Sequence, residues 1–296
     1  MDITLALGGG GSRGVAHIGV IRRLIAEGFR IRAVAGTSAG GIVAALLAAG
    51  FSPDQMEAAF AKVDQSKLFG RASHAGPSIL GLTGAEKLFH EWLGERTFSD
   101  LVIPCALTAV DLQGACEVVL RQGRVVDAIL ATIALPGIFP PHHTGEHQLV
   151  DGGVLDPVPV SIARLLEPAL PVVAVVLTPL VETASSPVHI PLPIPVPGPL
   201  VERITRLRVA QAFTIFLQAV DVSGKMLTEL RLKIDAPEVI LRPNVSKIGL
   251  LDAVDVHELI RLGEQAVEPA LDDLKRAVSW PKQIRRKLFK GLHSDA

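Results

Sequence analysis

Two cysteines, Cys105 and Cys116, are all that this 296-residue chain carries, which excludes a disulfide framework and leaves a core thiol and a strand thiol as the simplest reading. Excess charge is lacking too: 29 Lys and Arg stand against 30 Asp and Glu, a net charge of -1, so no nucleic acid partner is expected. Met1 to Leu7 has neither the basic start nor the long apolar core of a secretory signal, and a cytoplasmic protein is expected. The H-E-x-x-H order of a zinc hydrolase is missing. His142-His143-Thr144-Gly145-Glu146-His147 follows Pro140 and Pro141 and reads as a loop or hairpin, so its histidines are expected to be solvated or pocket-lining instead of binding metal. No internal repeat or domain boundary interrupts the chain. Ala33 to Pro53 lacks charge and is long enough to span a bilayer, but glycines, Thr37, Ser38 and Ser52 dilute it, and a buried core helix is the better reading.

What is present is an ample apolar complement, 49% of residues with mean hydropathy +0.40, which disfavours extensive disorder. Ile3 to Leu7 reads as a strand, Gly8 to Gly14 as a loop, and Val15 to Glu27 as a helix stopped by Gly28. A second strand then gives way at Gly36-Thr37-Ser38-Ala39-Gly40 to the helical stretch Ile42 to Ala49. This alternation predicts an α/β fold with a parallel sheet and helices on its faces. Further helices are expected from Pro53 to about Lys62, from Thr83 to near Trp92, over Val125 to Ala134 and over Leu200 to Val220. A long helix from Val254 to Val278 should bury Leu259, Val267, Leu271 and Leu274. Strands are expected at Pro104 to Asp111, Cys116 to Leu120, Val172 to Leu177 and Val239 to Leu241. The prolines crowded through 185–199 exclude a helix or central strand there and predict an extended loop. We therefore divide the chain into one domain over 1–278 and a basic tail over 279–296. In that tail five basic residues lie between Lys282 and Lys290, and Trp280, Ile284, Leu288 and Leu292 share one helical side. Arg203, Arg206 and Arg208 read as a solvent face.

Three motifs carry chemistry. Gly-Thr-Ser-Ala-Gly has the form of a nucleophile elbow, which would expose Ser38 at the positive end of a helix; a simple helix cap is the plainer alternative. The run Gly8 to Gly14 contains G-x-G-x-x-G after a strand, but the acid that should close the second strand of a dinucleotide site is absent. The same glycines can instead aim backbone N–H groups at an oxyanion. Asp151-Gly152-Gly153 follows a short apolar strand and offers a carboxylate base, or else an ordinary turn. The turn reading also applies to Asp111. A Ser-His-Asp arrangement using His142, His143, His147, His189 or His257 is the chemical rival.

These motifs, in this order, resemble the patatin-like phospholipases. Leu135-Pro136-Gly137-Ile138-Phe139-Pro140-Pro141 is similar to the family's loop before its catalytic Asp, and Ala106 to Asp111 to its preceding strand. The resemblance covers about Ile3 to Pro159 and continues loosely through Arg242-Pro243 and the last helix. It implies a three-layer α/β/α fold with a mainly parallel central sheet. It also implies a Ser-Asp dyad, Ser38 as nucleophile and Asp151 as base, with an oxyanion hole from Gly9, Gly10 and Gly11 helped by Arg13. The implied activity is hydrolysis of a lipid or small ester, phospholipase A-like, with no metal and no cofactor. Asp156 stands where many relatives carry Asn. Pro187 to Leu200 and Trp280 to Leu292 are the candidate peripheral membrane contacts, and a membrane-associated scaffold without catalysis is the non-enzymatic alternative.

Overall fold

Small side chains decide how closely the layers pack. In the computed structural model, which describes residues 1–68, 78, 80–180 and 200–279 (side chains of 66, 200–214 and 217 excepted), β1 (Asp2–Leu7) lies between β2 (Arg30–Thr37) and β7 (Val172–Val175). Ala6 is in register with Ala35 on one side and Ala174 on the other, and Ala35 with Ala106 of β3 (Cys105–Asp111). This row of buried alanines forms a shallow floor on which α6 (Val160–Leu166) packs through Val160, Ile162 and Ala163. The opposite sheet face carries Ile3, Leu5, Leu7, Val34 and Leu107. It is covered by α1 (Ala16–Ala26), α2 (Ala39–Ala48), α5 (Val125–Thr132) and α8 (Val256–Gln265). Burial on both faces explains why the central strands read as continuous apolar runs.

The eight-stranded sheet runs β5 (His142–Thr144), β6 (His147–Asp151), β3, β2, β1, β7, β8 (Val239–Leu241), with β4 (Cys116–Leu120) also on β3. Pairings among β3, β2, β1, β7 and β8 are parallel, and those of β4, β5 and β6 are antiparallel. The layered α/β/α architecture expected from the sequence is the one observed. One detail of register positions the site. β4 occupies one edge of β3 from Leu107 to Asp111, so the other edge is shared: β2 takes it up to Thr108, and β6 takes it from Ala109 onward. The ends of β2 and β6 therefore meet head-on, Thr37 opposite Thr108 and Asp151 opposite Ala109.

Helix α3 (Pro53–Ala61) starts where the sequence places it, with Ser52 and Gln55 capping each other's backbone N–H and Pro53 in the first turn. Helix α4 (Thr83–Leu93) also agrees. Three expectations need correction. The helix expected to end at Val220 continues to Asp235 as α7 (Leu200–Asp235), because no proline interrupts Asp221 to Asp235 and the single Gly224 is tolerated. The long C-terminal helix is instead α8, a 3-10 turn at Glu268–Ala270 containing Pro269, and α9 (Leu271–Ala277). Pro269 has no N–H to continue the ladder. Helix α6 is the third difference: it has no counterpart among the expected elements, since its seven residues are too few to show a period. Cys105 is buried, which pushes its thiol up to about 12, and Cys116 is exposed. All of 185–199, including His189, as well as Trp280 to Leu292 and the side chains of Arg203, Arg206 and Arg208, lie outside the described residues.

Candidate active site

Ser38 sits between β2 and α2 with φ 55 and ψ −127, a left-handed backbone that a serine adopts only when its surroundings impose it. The imposition comes from close packing below: a Cβ on Gly40 would lie 2.2 Å from the carbonyl oxygen of Leu7. The Ser38 N–H donates to Thr132 Oγ1 at 2.8 Å, and its carbonyl accepts from Gly41 and Ile42 N–H to start α2. Beneath, the buried Thr37 Oγ1 and Thr108 Oγ1 are 2.7 Å apart, and Thr37 donates to Asp156 O.

Because β6 runs head-on into β2, the two side chains at their ends converge. Ser38 Oγ donates to Asp151 Oδ2 at 2.5 Å, and Asp151 Oδ1 accepts from Gly153 N–H at 2.7 Å. Burial pushes the Asp151 carboxyl up to about 6, against the lowering effect of these two hydrogen bonds. The group is therefore ionised at neutral pH yet far more basic than a solvated aspartate.

The glycine loop closes the site from β1. Gly11 has φ 56, and a Cβ there would lie 2.0 Å from Leu250 O, the carbonyl that accepts from Ser12 N–H. One expected donor is corrected: Gly9 N–H is committed to Pro157 O at 3.0 Å. Among the described residues, Gly10 and Gly11 N–H have no backbone acceptor and border the same cavity as Ser38 and Asp151. The expected help from the Arg13 side chain also changes character. Its Nε donates to Ile248 O at 2.6 Å, tying the glycine loop to the segment carrying Leu250. Burial lowers the Arg13 pKa, while Asp221 and Asp252 hold it up.

His17, which the sequence reading did not single out, is fully buried under this loop with Nε2 2.8 Å from Gly8 O. Burial holds it down at about 4, so it is a neutral imidazole that donates to that carbonyl. Its place one helical turn after Gly14 was the available signal. The other described histidines stand elsewhere: His147 Nδ1 bonds Asp111 at 2.7 Å, His257 Nδ1 bonds Glu57 at 2.5 Å, and His142 and His143 form β5. None of the four borders the cavity. The His147 hydrogen bond is the main cause of a lowered Asp111 pKa. Asp156 is wholly buried and pushed up to about 7 by desolvation, with Arg231 of α7 opposing at 3.1 Å from Oδ2. The buried Asp156 carboxylate is thus matched by a cation. Among the described residues, no group of three or more His, Cys, Asp or Glu is arranged to hold a metal.

Ser38 opens into a cavity of about 1350 Å³ with a mostly apolar wall, including Phe60, Leu88, Phe89, Trp92, Leu135 and Phe139. Charged Arg13, Asp221, Lys225 and Asp252 gather on one side. No helix of the described residues is long and apolar enough to cross a membrane.

An uncharacterized NTE family protein of Mycobacterium tuberculosis (strain ATCC 25618 / H37Rv) is 38% identical over 162 residues, 54% of this chain and 44% of that protein. The patatin-like phospholipase domain-containing protein 6 of Mus musculus is 31% identical over 169 residues, 55% of this chain and 12% of that protein. The chain thus spans less than half the length of these relatives. VipD from Legionella pneumophila has a similar fold, with TM-score 0.58 at 14% identity over 93% of this chain and 67% of that one. The patatin-like phospholipase model matches residues 5–164, more than half of the sequence and the whole run from glycine loop through Asp-Gly-Gly to α6, so the chain belongs to the patatin-like phospholipase family.

Proposed function

We propose that the protein is a serine acyl hydrolase acting on carboxylic esters of lipids, with Ser38 as nucleophile and Asp151 as base. The observation that carries this reading is the 2.5 Å hydrogen bond from a strained, elbow-mounted hydroxyl to a buried carboxylate of raised basicity. Ser38 Oγ attacks the ester carbonyl carbon while its proton passes to Asp151 Oδ2. The carbonyl oxygen becomes an oxyanion facing the N–H groups of Gly10 and Gly11, beside the positive N-terminal end of α2. Collapse breaks the ester C–O bond, and the leaving alkoxide takes the proton from Asp151. The acyl-enzyme is then hydrolysed by water, whose proton Asp151 accepts and returns to Ser38. Gly9 is assigned close packing under Ser38, Arg13 the positioning of the 248–252 segment, and His17 the orientation of the loop carbonyl.

The large apolar cavity supports long acyl chains as substrates. Family membership supports the lipid hydrolase class. A chain-length series of esters and phospholipids on wild type and Ser38→Ala tests the reading. Hydrolysis should rise with chain length and fall by a factor on the order of 10⁴ or more in the variant. Turnover retained by folded Ser38→Ala would refute it.

A further inference from the structure

From Ile215 to Ile234, helix α7 is inside out. Lys225 and Thr228 are buried against the protein, and Asp221 and Arg231 pair on that same side with Lys225 and Asp156. Ile215, Val222, Met226, Leu230 and Ile234 are 48% to 74% exposed. At 100° per residue these five fall within about a third of the helix circumference, a ridge about 28 Å long. A water-facing helix has the reverse arrangement.

The ridge is continuous with the active-site cavity. Phe216, Ala219 and Val220 of α7 form part of the cavity wall. Leu112 in the β3–β4 turn and Val154 in the turn after Asp151 also line the cavity and are themselves 49% and 41% exposed. Apolar side chains therefore flank the opening from two separate parts of the fold. We propose that this surface seats on a lipid bilayer by shallow apolar insertion, so that acyl chains pass from the bilayer to the cavity without crossing water. A second copy of the chain seated here would cover the mouth instead of feeding it. Among the described residues, only Lys233 adds an exposed charge on the ridge side, so attachment through this surface depends on buried apolar area more than on anionic lipid. The proposal takes from the acyl-hydrolase reading only the identity of what enters the cavity.

The test separates the two. Ser38→Ala protein, which leaves vesicles intact, is co-sedimented with pure phosphatidylcholine vesicles, alone and combined with Met226→Glu/Leu230→Glu. Catalytically intact versions of the same proteins are assayed on a monomeric short-chain ester and on vesicles. Binding is expected in the parent even at about 0.5 M salt. The double substitution should weaken it about 100-fold and depress vesicle hydrolysis alike, while short-ester turnover stays unchanged. The milder Val222→Gln/Ile234→Gln should act in the same direction. Vesicle binding that survives both pairs, that requires anionic lipid and vanishes in salt, or a dimer that the substitutions dissociate without affecting vesicles, would each overturn the proposal. If no ester is hydrolysed by wild type, the acyl-hydrolase reading fails, and sedimentation still decides this one.

Discussion

Replacing Asp151 with Asn should make the protein more stable and inactive, with the gain confined to one side of a defined pH interval. The carboxyl is held at about 6 against an ordinary 3.8, so burial resists its ionisation. Between those values the unfolded chain has released the proton and the native state still holds it. Native stability therefore falls as pH rises from about 4 to 6, then levels off. The total is about 3 kcal/mol, at about 1.4 kcal/mol per tenfold change in acidity. Asn is a neutral isostere that can still accept from Gly153 N–H and donate to Ser38 Oγ, so the change removes chiefly the cost of the charge. At pH 8 the variant should be up to about 3 kcal/mol more stable, about 5 °C in Tm for a chain of this length, with no advantage at pH 4. The wild-type curve alone would not isolate this, because Asp156, pushed up to about 7, adds a fall of the same sign. His17, held neutral at about 4, loses native stability as pH falls from about 6.5, an opposite slope of about the same size. Denaturant titrations of both proteins at pH 4 to 8, read as differences, isolate the Asp151 contribution, and ester hydrolysis supplies the second readout. A difference that does not change with pH, or an active Asp151→Asn, would refute the reasoning.

Three further outcomes follow from the same geometry. His17→Leu should cost about 1–3 kcal/mol by stranding Gly8 O and lower kcat more than it raises KM, whereas His17→Gln should recover part of both; equal kcat in the two variants counts against the loop-orienting role. Gly11→Ala has a disfavoured φ and no room beside Leu250 O, so lowered Tm and weakened turnover are expected, measured by thermal unfolding and ester hydrolysis. Arg231→Met leaves Asp156 buried without its cation and should destabilise by on the order of 3 kcal/mol at pH 8 and less at pH 6, where Asp156 holds a proton; adding Asp156→Asn should restore most of the loss.

Most elements were legible because their signals are local. The apolar runs of β1, β3 and β7, the proline start of α3 and the stop at Gly28 depend on residues a few positions apart. Ser38 and the glycine loop were legible for the same reason: a strand-to-helix turn with tight backbone approaches needs glycine at fixed offsets, as at Gly40 and Gly11. Asp151 was named from a local turn motif and a family likeness, since no spacing rule links it to Ser38. The break at Pro269 was there to be read and was outweighed by the apolar period around it. Helix α6 was not readable, because its seven residues owe their place to the alanine floor opposite them.

Sequence alone thus determined which residues could be strained, which could be basic and which backbone amides could be bare. The meeting of Ser38 with Asp151 was decided by tertiary structure, through β2 and β6 ending against each other on one edge of β3. The same holds for the diversion of Gly9 N–H to Pro157, the burial of His17 under the loop and the outward turn of α7's apolar face. Each of these depends on which distant segment arrives as neighbour, and local conformational preference carries no information about that arrival.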